Sequence, residues 1–258
     1  MPLNLPDQPR RFYSTNTLRL VICQLRFPVM HRFDEPGALA AFHDVLKERY
    51  PRSAPEQQLA LTVGPAGAVP GPASVLWRFQ GIEDGWSVAV ARDFVSIETT
   101  TYERFEYLRE RVAEVLEALI ALGVTVRERL GLRYIDEIRH PQAARPGDWR
   151  ELIEEELLGM VGGERLGDDV IQALQEIRLR EQHGSVTIRH GYLGAEATGN
   201  EPFYLLDLDY FDERSAPLVP GEVLDRIDGY HRTIHNLFET AIKQKLRDHL
   251  GITEQVDA

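Results

Sequence analysis

Leu18-Arg19-Leu20-Val21-Ile22-Cys23-Gln24-Leu25-Arg26-Phe27-Pro28 returns, one residue shorter, as Leu132-Arg133-Tyr134-Ile135-Asp136-Glu137-Ile138-Arg139-His140-Pro141. Both stretches are rich in aliphatic side chains and read as strands. Each is followed by a helix-like stretch, three strand-like stretches and a longer amphipathic helix. Self-similarity on this scale predicts an architecture more firmly than a single motif does. The expected fold is α+β: internally duplicated β-α-β-β-β-α units forming one curved antiparallel sheet, with two long helices packed on one face. Joining the units edge to edge also removes two exposed strand edges. The expected boundaries are an N-terminal arm over 1–16, a first repeat over 17–126, a second over 127–251 and a tail over 252–258, the two repeats forming one compact unit.

In the first repeat, Asp34-Glu35-Pro36 has the chemistry of a helix start, and Leu39, Phe42, Val45 and Leu46 fall on one helical face. Tyr50-Pro51 closes that helix. Leu59 to Val63 reads as a short strand, and Gly64 to Pro72 as a hinge-like loop. Period-two alternation then predicts strands over Ser74–Gln80, Trp86–Ala91 and Phe94–Thr100. Thr100-Thr101-Tyr102-Glu103 reads as a capping box opening a helix striped by Phe105, Leu108, Val112, Val115, Leu116 and Leu119, which ends at Gly123. In the second repeat, Asp148 opens a helix, Gly159 to Gly167 interrupts the chain, and strands fall over Ile177–Glu181, Ser185–Arg189 and Phe203–Tyr210. A last helix runs from about Glu222 to Leu250, with Val223, Ile227, Tyr230, Ile234, Leu237, Ala241 and Ile242 facing inward.

The 258 residues suffice for one large domain or two small ones. Asp and Glu number 41 against 29 Lys and Arg, a formal charge of −12. That field disfavours nucleic acid and anionic membranes, and no tight basic cluster offsets it. Cys23 is the lone cysteine, so no intrachain disulfide forms; within its apolar run it reads as a buried, inert thiol. Arg10-Arg11 raises a twin-arginine export signal, but the apolar stretch that follows is broken by Gln24 and Arg26. No apolar run is long enough to cross a membrane. A cytoplasmic setting follows as the expectation.

Two further stretches, Asp93-Phe94-Val95-Ser96-Ile97-Glu98-Thr99 leading into Tyr102-Glu103-Arg104-Phe105, and Arg129-Leu130-Gly131-Leu132-Arg133-Tyr134-Ile135-Asp136, mark strand–helix joints. Together they resemble a sporadically distributed, uncharacterised prokaryotic protein family of about 250 residues, over nearly the whole chain. The resemblance implies genes that move horizontally, as in mobile defence-type neighbourhoods, and carries no activity or site residues. In topology alone the duplicated plan resembles saddle folds such as the TATA-binding protein, which says nothing about DNA binding.

Chemistry-bearing side chains collect on the expected non-helix face. Glu98 lies there in the first repeat and Asp207 and Asp209 in the second, with Arg78, Arg178 and Arg180 on neighbouring strands. Carboxylates and arginines on one face suit Mg²⁺ and a phosphate, the combination nucleotide chemistry needs. The plainer reading is an outer face laced with cross-strand ion pairs. His231 and His235 share a helical face with Asp228 one turn earlier, a geometry open to metal, though a polar helix flank is much the plainer reading. Gly184-Ser185 and Ser74 lack the flanks of a nucleophile elbow, and the glycine clusters at Gly64–Gly67 and Gly159–Gly163 lack a phosphate loop's lysine. Trp77, Trp86, Tyr134 and Phe94 read as core aromatics without interleaved basic residues.

No catalytic constellation emerges, and the sequence implies no cofactor and no resident metal. The leading expectation is a non-enzymatic cytoplasmic binding or regulatory module, acting through a protein partner or as a homo-oligomer. Its sign would be an exposed apolar patch on the last helix or the sheet face. The alternative is a small-ligand or nucleotide-binding protein, with Mg-dependent catalysis as its extreme form, built on Arg78, Glu98, Arg178, Arg180, Asp207 and Asp209.

Overall fold

The computed structural model describes residues 5–35, 37–58, 61–64, 67–70, 74–82, 85–163, 166 and 169–256. In chain order the elements are β1 (Arg10–Tyr13), β2 (Leu18–Arg26), α1 (Ala40–Leu46), β3 (Arg52–Gln58), β4 (Leu61–Gly64), β5 (Gly67–Pro70), β6 (Ser74–Gln80), β7 (Trp86–Val90), β8 (Phe94–Thr99), α2 (Phe105–Ala121), β9 (Val126–Arg127), β10 (Arg129–Ile138), α3 (Glu155–Leu158), β11 (Gln172–Glu181), β12 (Gly184–Leu193), α4 (Ala195–Thr198), β13 (Phe203–Asp212), β14 (Ala216–Pro217), α5 (Pro220–Ala241), α6 (Gln244–Leu250) and β15 (Ile252–Val256). The class is α+β. Nine strands form a large antiparallel sheet in the order β11-β12-β13-β10-β2-β8-β7-β6-β3, and β1–β15, β14–β9 and β4–β5 form two-stranded ribbons. The backbone clusters into two compact units. A central unit holds Ile22–Gly131 and Glu213–Ile227; a terminal unit gathers the chain up to Val21, Leu132–Asp212 and the chain from Asp228 onward.

In the central unit the alternation of each strand decides which side is buried. Phe79, Val88 and Ile97 stand in one cross-strand row over β6, β7 and β8, and all three are buried. Phe79 meets Phe42 of α1 with ring centroids 5.5 Å apart, so this row lies on the helix side. The other side carries Arg78, Ser87, Ser96 and Glu98 beside a small apolar cluster of Leu76, Ala89, Ala91 and Phe94. The stripe expected of α2 is buried as its spacing predicts. Gly123 then takes φ 91, a left-handed conformation that favours glycine and stops the helix. Arg49 ties α2 to the end of α1 through Glu114 at 2.8 Å.

Local chemistry shifts several expected boundaries. Gly37 adopts φ 79, which an α-helix does not accommodate, so residues 33–35 and 37–39 form turns and a bend, and α1 begins at Ala40 instead of near Asp34. The expected capping box does not form. The amide of Thr101 donates to Thr99 Oγ1 at 3.1 Å, a side-chain–backbone bond that competes with helix, and α2 starts at Phe105. The expected loop over 64–72 includes the β4–β5 hairpin; residues 65, 66, 71 and 72 lie outside the described residues. Polar β3, with Pro55 in it, lies at the end of the strand order, where a missing N–H is tolerated.

In the terminal unit β11, β12 and β13 are each ten residues long, longer than their apolar runs suggest, because the ladder continues through polar residues. Val186, Ile188, Leu206 and Leu208 form the buried side. Tyr210 stacks on Tyr230 of α5 at 4.0 Å, and the Tyr230 hydroxyl donates to Asp212 at 3.0 Å. The helix expected to run to Leu250 breaks after Ala241. Ile242 bridges Ile153, the Lys243 amide donates to the Leu152 carbonyl, and α6 starts afresh at Gln244. The stretch expected to form a helix at Asp148 is a 3₁₀ turn over Pro146–Glu151, in which Asp148 accepts the Arg145 amide at 2.9 Å, followed by α3.

The arm and the tail meet as β1 and β15, with Arg11 opposite Gln255 and Phe12 opposite Glu254. Beneath them Glu239 of α5 is wholly buried and accepts from Arg11 Nη1 at 2.6 Å, Tyr13 Oη at 2.7 Å and Arg247 Nε at 3.1 Å. Among the described residues no helix is long and apolar enough to cross a membrane. Glu239→Ala leaves two partly buried guanidinium groups without their carboxylate, and urea unfolding is expected to show a loss of about 2–4 kcal/mol. A loss below about 1 kcal/mol would mean that the clasp is solvated.

Candidate functional site

The six residues singled out by the sequence divide between the units. In the central unit Arg78 and Glu98 are bonded: Arg78 Nη1 donates to Glu98 Oε2 at 2.7 Å and to Ser87 Oγ at 3.0 Å, while its Nε donates to Glu56. Ser96 Oγ donates to the other Glu98 oxygen at 2.7 Å. In the terminal unit Asp207 is buried, and each of its oxygens accepts from Arg133, at 2.7 and 2.6 Å. Arg189 adds a longer contact to Asp207 and turns its Nε to Glu176 at 2.6 Å. One row thus crosses four strands with alternating sign: Arg133, Asp207, Arg189, Glu176. Arg178, Thr187 and Asp209 occupy the next row, and Arg178 also lies over the Phe211 ring at 4.9 Å. Arg180 stands opposite Ser185 near the end of β11.

This face is a lattice of charge pairs rather than a set of converging carboxylates. Asp207 is held bidentately, the strongest arrangement available to it, which leaves it a poor partner for a cation. Among the described residues no group of three His, Cys, Asp or Glu side chains has metal-holding geometry. His231 Nδ1 is bonded to Tyr134 Oη at 3.0 Å, and His235 Nε2 donates to the Pro9 carbonyl at 3.0 Å, so each imidazole ties α5 to a neighbouring segment.

A cleft of about 700 Å³ opens in the terminal unit on the opposite side of β12 and β13. Ile188, Leu206 and Leu208 form its floor, and Leu157 and Leu237 extend the apolar lining. Thr240 and Ala241 bring the end of α5 to one wall, Lys243 and Arg247 follow from beyond the break, and Leu5, Pro6 and Gln8 close a side. The break after Ala241 shapes this wall, because the Glu154 amide donates to the Ala241 carbonyl. The rim carries Glu154, Glu155 and Glu156 against Lys243 and Arg247. Lys243 Nζ donates to the Arg150 carbonyl at 2.8 Å and lies 3.9 Å from Glu155, and Arg247 pairs with Glu239, which leaves Glu154 and Glu156 without an ion pair among the described residues. The surplus at the rim is therefore negative.

One row beyond the floor lies a buried polar cluster. His190 stands opposite Leu206 in the ladder, and Tyr192 opposite Tyr204. Tyr204 Oη donates to the carbonyl of Leu157, a cleft residue, so it receives its 2.8 Å bond from His190 as Nδ1–H. That tautomer leaves His190 Nε2 as a bare acceptor. It is buried without a partner among the described residues, as is the Trp149 Nε1 donor, whose ring lies 5.6 Å from that of Tyr204. Burial lowers the His190 pKa and keeps the ring neutral, and the same burial raises the Tyr204 hydroxyl. A smaller cleft of about 530 Å³ in the central unit is lined by Phe33, Trp77, Phe79 and His43.

Sequence reasoning missed Arg133, Glu239, Arg247 and Asp136. Asp136 was legible in principle, since period two places it on the same face as Leu132, Tyr134 and Ile138, all buried. It is wholly buried and bonded by Thr17 Oγ1 at 2.6 Å, and burial pushes its pKa up to about 7. Cys23 is buried, with its thiol pushed up to about 12, which suits an inert core group. No protein-family model matches the chain, and no curated protein matches it.

The Asp136 shift has a defined sign. The folded state holds this proton from the ordinary carboxylate range up to about pH 7, while the unfolded chain has released it. The contribution is thus fully present below the unfolded pKa and is lost as pH rises towards 7. Urea unfolding between pH 4 and 8 is expected to show the native chain losing up to about 1.4 kcal/mol per pH unit relative to Asp136→Asn. Parallel pH profiles for the two proteins would show that Asp136 is not desolvated.

Proposed function

We propose that this chain is a cytoplasmic small-molecule-binding module whose ligand is an amphipathic amine seated in the cleft of the terminal unit. The carrying observation is the pairing of an apolar floor, Ile188, Leu206 and Leu208, with a rim whose unbalanced charge is acidic. About 700 Å³ falls within the usual range for small-molecule sites, which combine apolar linings with a few placed polar groups. The net charge of −12 draws cations towards such a rim. A lone, buried, free cysteine accords with a reducing compartment.

Binding rather than catalysis is favoured because the carboxylates of the sheet face are engaged by arginines. A Mg-dependent reaction on that face draws no support from the geometry. A partner docked on the last helix has none either, since the large apolar side chains of α5 are not among those left exposed in the described residues. Internal duplication belongs to the same reading. What supports it is the strand order, in which β11-β12-β13-β10 and β6-β7-β8-β2 repeat one connectivity. The two helices that close the repeats are α2, of 17 residues, and α5, of 22. The resemblance to a sporadically distributed prokaryotic family remains part of the proposal, with mobile defence-type neighbourhoods as its setting.

Thr240 is exposed on the cleft wall, so Thr240→Trp fills the cleft without disturbing the core. Calorimetric titration with n-octylamine below its micellar range is expected to give saturable binding to the native chain and at least tenfold weaker binding to the variant. The carboxylate of equal length, n-octanoate, is expected not to bind. Equal affinity for the two head groups, or binding untouched by Thr240→Trp, would overturn the proposal.

A further inference from the structure

Strand β11 stands at the end of the nine-strand order and pairs, among the described residues, with β12 alone. It is ten residues long, contains no proline and has no break in its register with β12. An edge of this kind presents a row of backbone groups to another strand, and natural sheets usually blunt such edges with bulges, prolines or short strands. The opposite end of the order has Pro55; β11 has no equivalent. Ile171 and Leu174, just before and within the strand, are among the exposed large apolar residues.

The charge sequence of β11 identifies what fits this edge. A two-fold axis that keeps the two faces of each sheet on the same sides must pass through a residue of the strand, because directly opposed residues share a face. With the axis at Ile177, Ile177 opposes itself, Glu176 opposes Arg178 twice, and Leu174 opposes Arg180 twice. Moving the axis by one residue sets Glu176 against Glu176, or Arg178 against Arg178, and like charges directly opposite are destabilising. The favoured register also continues the row already present. Arg133, Asp207, Arg189 and Glu176 alternate in sign across four strands, and Arg178 of a second copy would follow Glu176. The arginine stem opposite Leu174 covers that exposed apolar side chain.

We infer that two copies of this chain associate through antiparallel pairing of their β11 strands, centred on Ile177. The partner is a second copy because the edge is self-complementary: its one acidic and one basic position flanking the centre exchange under the two-fold. This pairing uses neither the cleft nor its rim, and it holds whether or not an amine binds there.

Sedimentation equilibrium of the full chain tests it. The native protein is expected to show twice the monomer mass of 29.4 kDa. Arg178→Glu places glutamates opposite one another on both sides of the axis, and is expected to weaken the dimer by about tenfold or more. Adding Glu176→Arg to that variant exchanges the charges and is expected to restore dimerisation, which a folding defect would not allow. In addition, Ile177→Cys is expected to give a reducible dimer on mild oxidation, with directly opposed positions within disulfide reach and Cys23 buried. A native monomer at high micromolar concentration, a dimer indifferent to Arg178→Glu, or failure of the charge exchange to restore it would each overturn the inference.

Discussion

Glu239 is a carboxylate with no access to water, and the terminal unit is organised around keeping it paired. An ionised group in such a place is tolerated only when its neighbours complete its hydrogen bonds. Arg11 and Tyr13 come from the start of the chain, Arg247 from near its end, and Glu239 itself from α5. Satisfying one side chain therefore ties the start of the chain to two successive helices more than 220 residues later. The same constraint places the lead-in residues Leu5 to Gln8 along the cleft and holds α6 beyond the break in α5. Tyr13 bears the mark of this setting, its hydroxyl raised above the ordinary range by burial and then by the bond to Glu239.

The two sides of the terminal ladder divide the physical work. On one side, Ile188, Leu206 and Leu208 are buried and form the apolar floor beneath the cleft that α5 and the 154–157 segment border. On the other, Arg133, Asp207, Arg189 and Glu176 cancel one another pairwise. Charges so arranged specify strand register more than they add stability, since a slip of one residue would bring apolar and charged side chains to the wrong faces. The ion pairs and the cleft are thus two consequences of one alternating pattern, seen from opposite sides of β12 and β13.

The sequence made much of this architecture readable, for identifiable reasons. Strict alternation located β6, β7, β8 and β13 to within a residue or two, and the apolar stripe of α2 was complete. Elements held by distant partners were not readable. β1 and β15 are short and polar, and each exists because the other pairs with it. The break after Ala241 has no glycine or proline to announce it, and Ile242 and Leu246 continue the helical spacing across it. What ends α5 is the hydrogen bonding of residues 152–154, some ninety positions earlier in the chain. Of the residues read as sharing a face, Arg78 and Glu98 do meet. Arg133, which holds Asp207, went unnoticed because its partner lies on a strand 74 residues away.

The division of the chain also carries a consequence for how it is made. The central unit is nearly continuous in sequence, whereas the terminal unit is assembled from three stretches that include both extremes of the described chain. During synthesis the N-terminal segment emerges first but has nothing to bind: the partners of Arg11 and Tyr13 follow more than 220 residues later. Long-range closure of this kind is slow and leaves surfaces exposed in the meantime. The nascent terminal unit, with its ready-made strand β11 and no completed clasp, is the species in which a chaperone would find the most to hold.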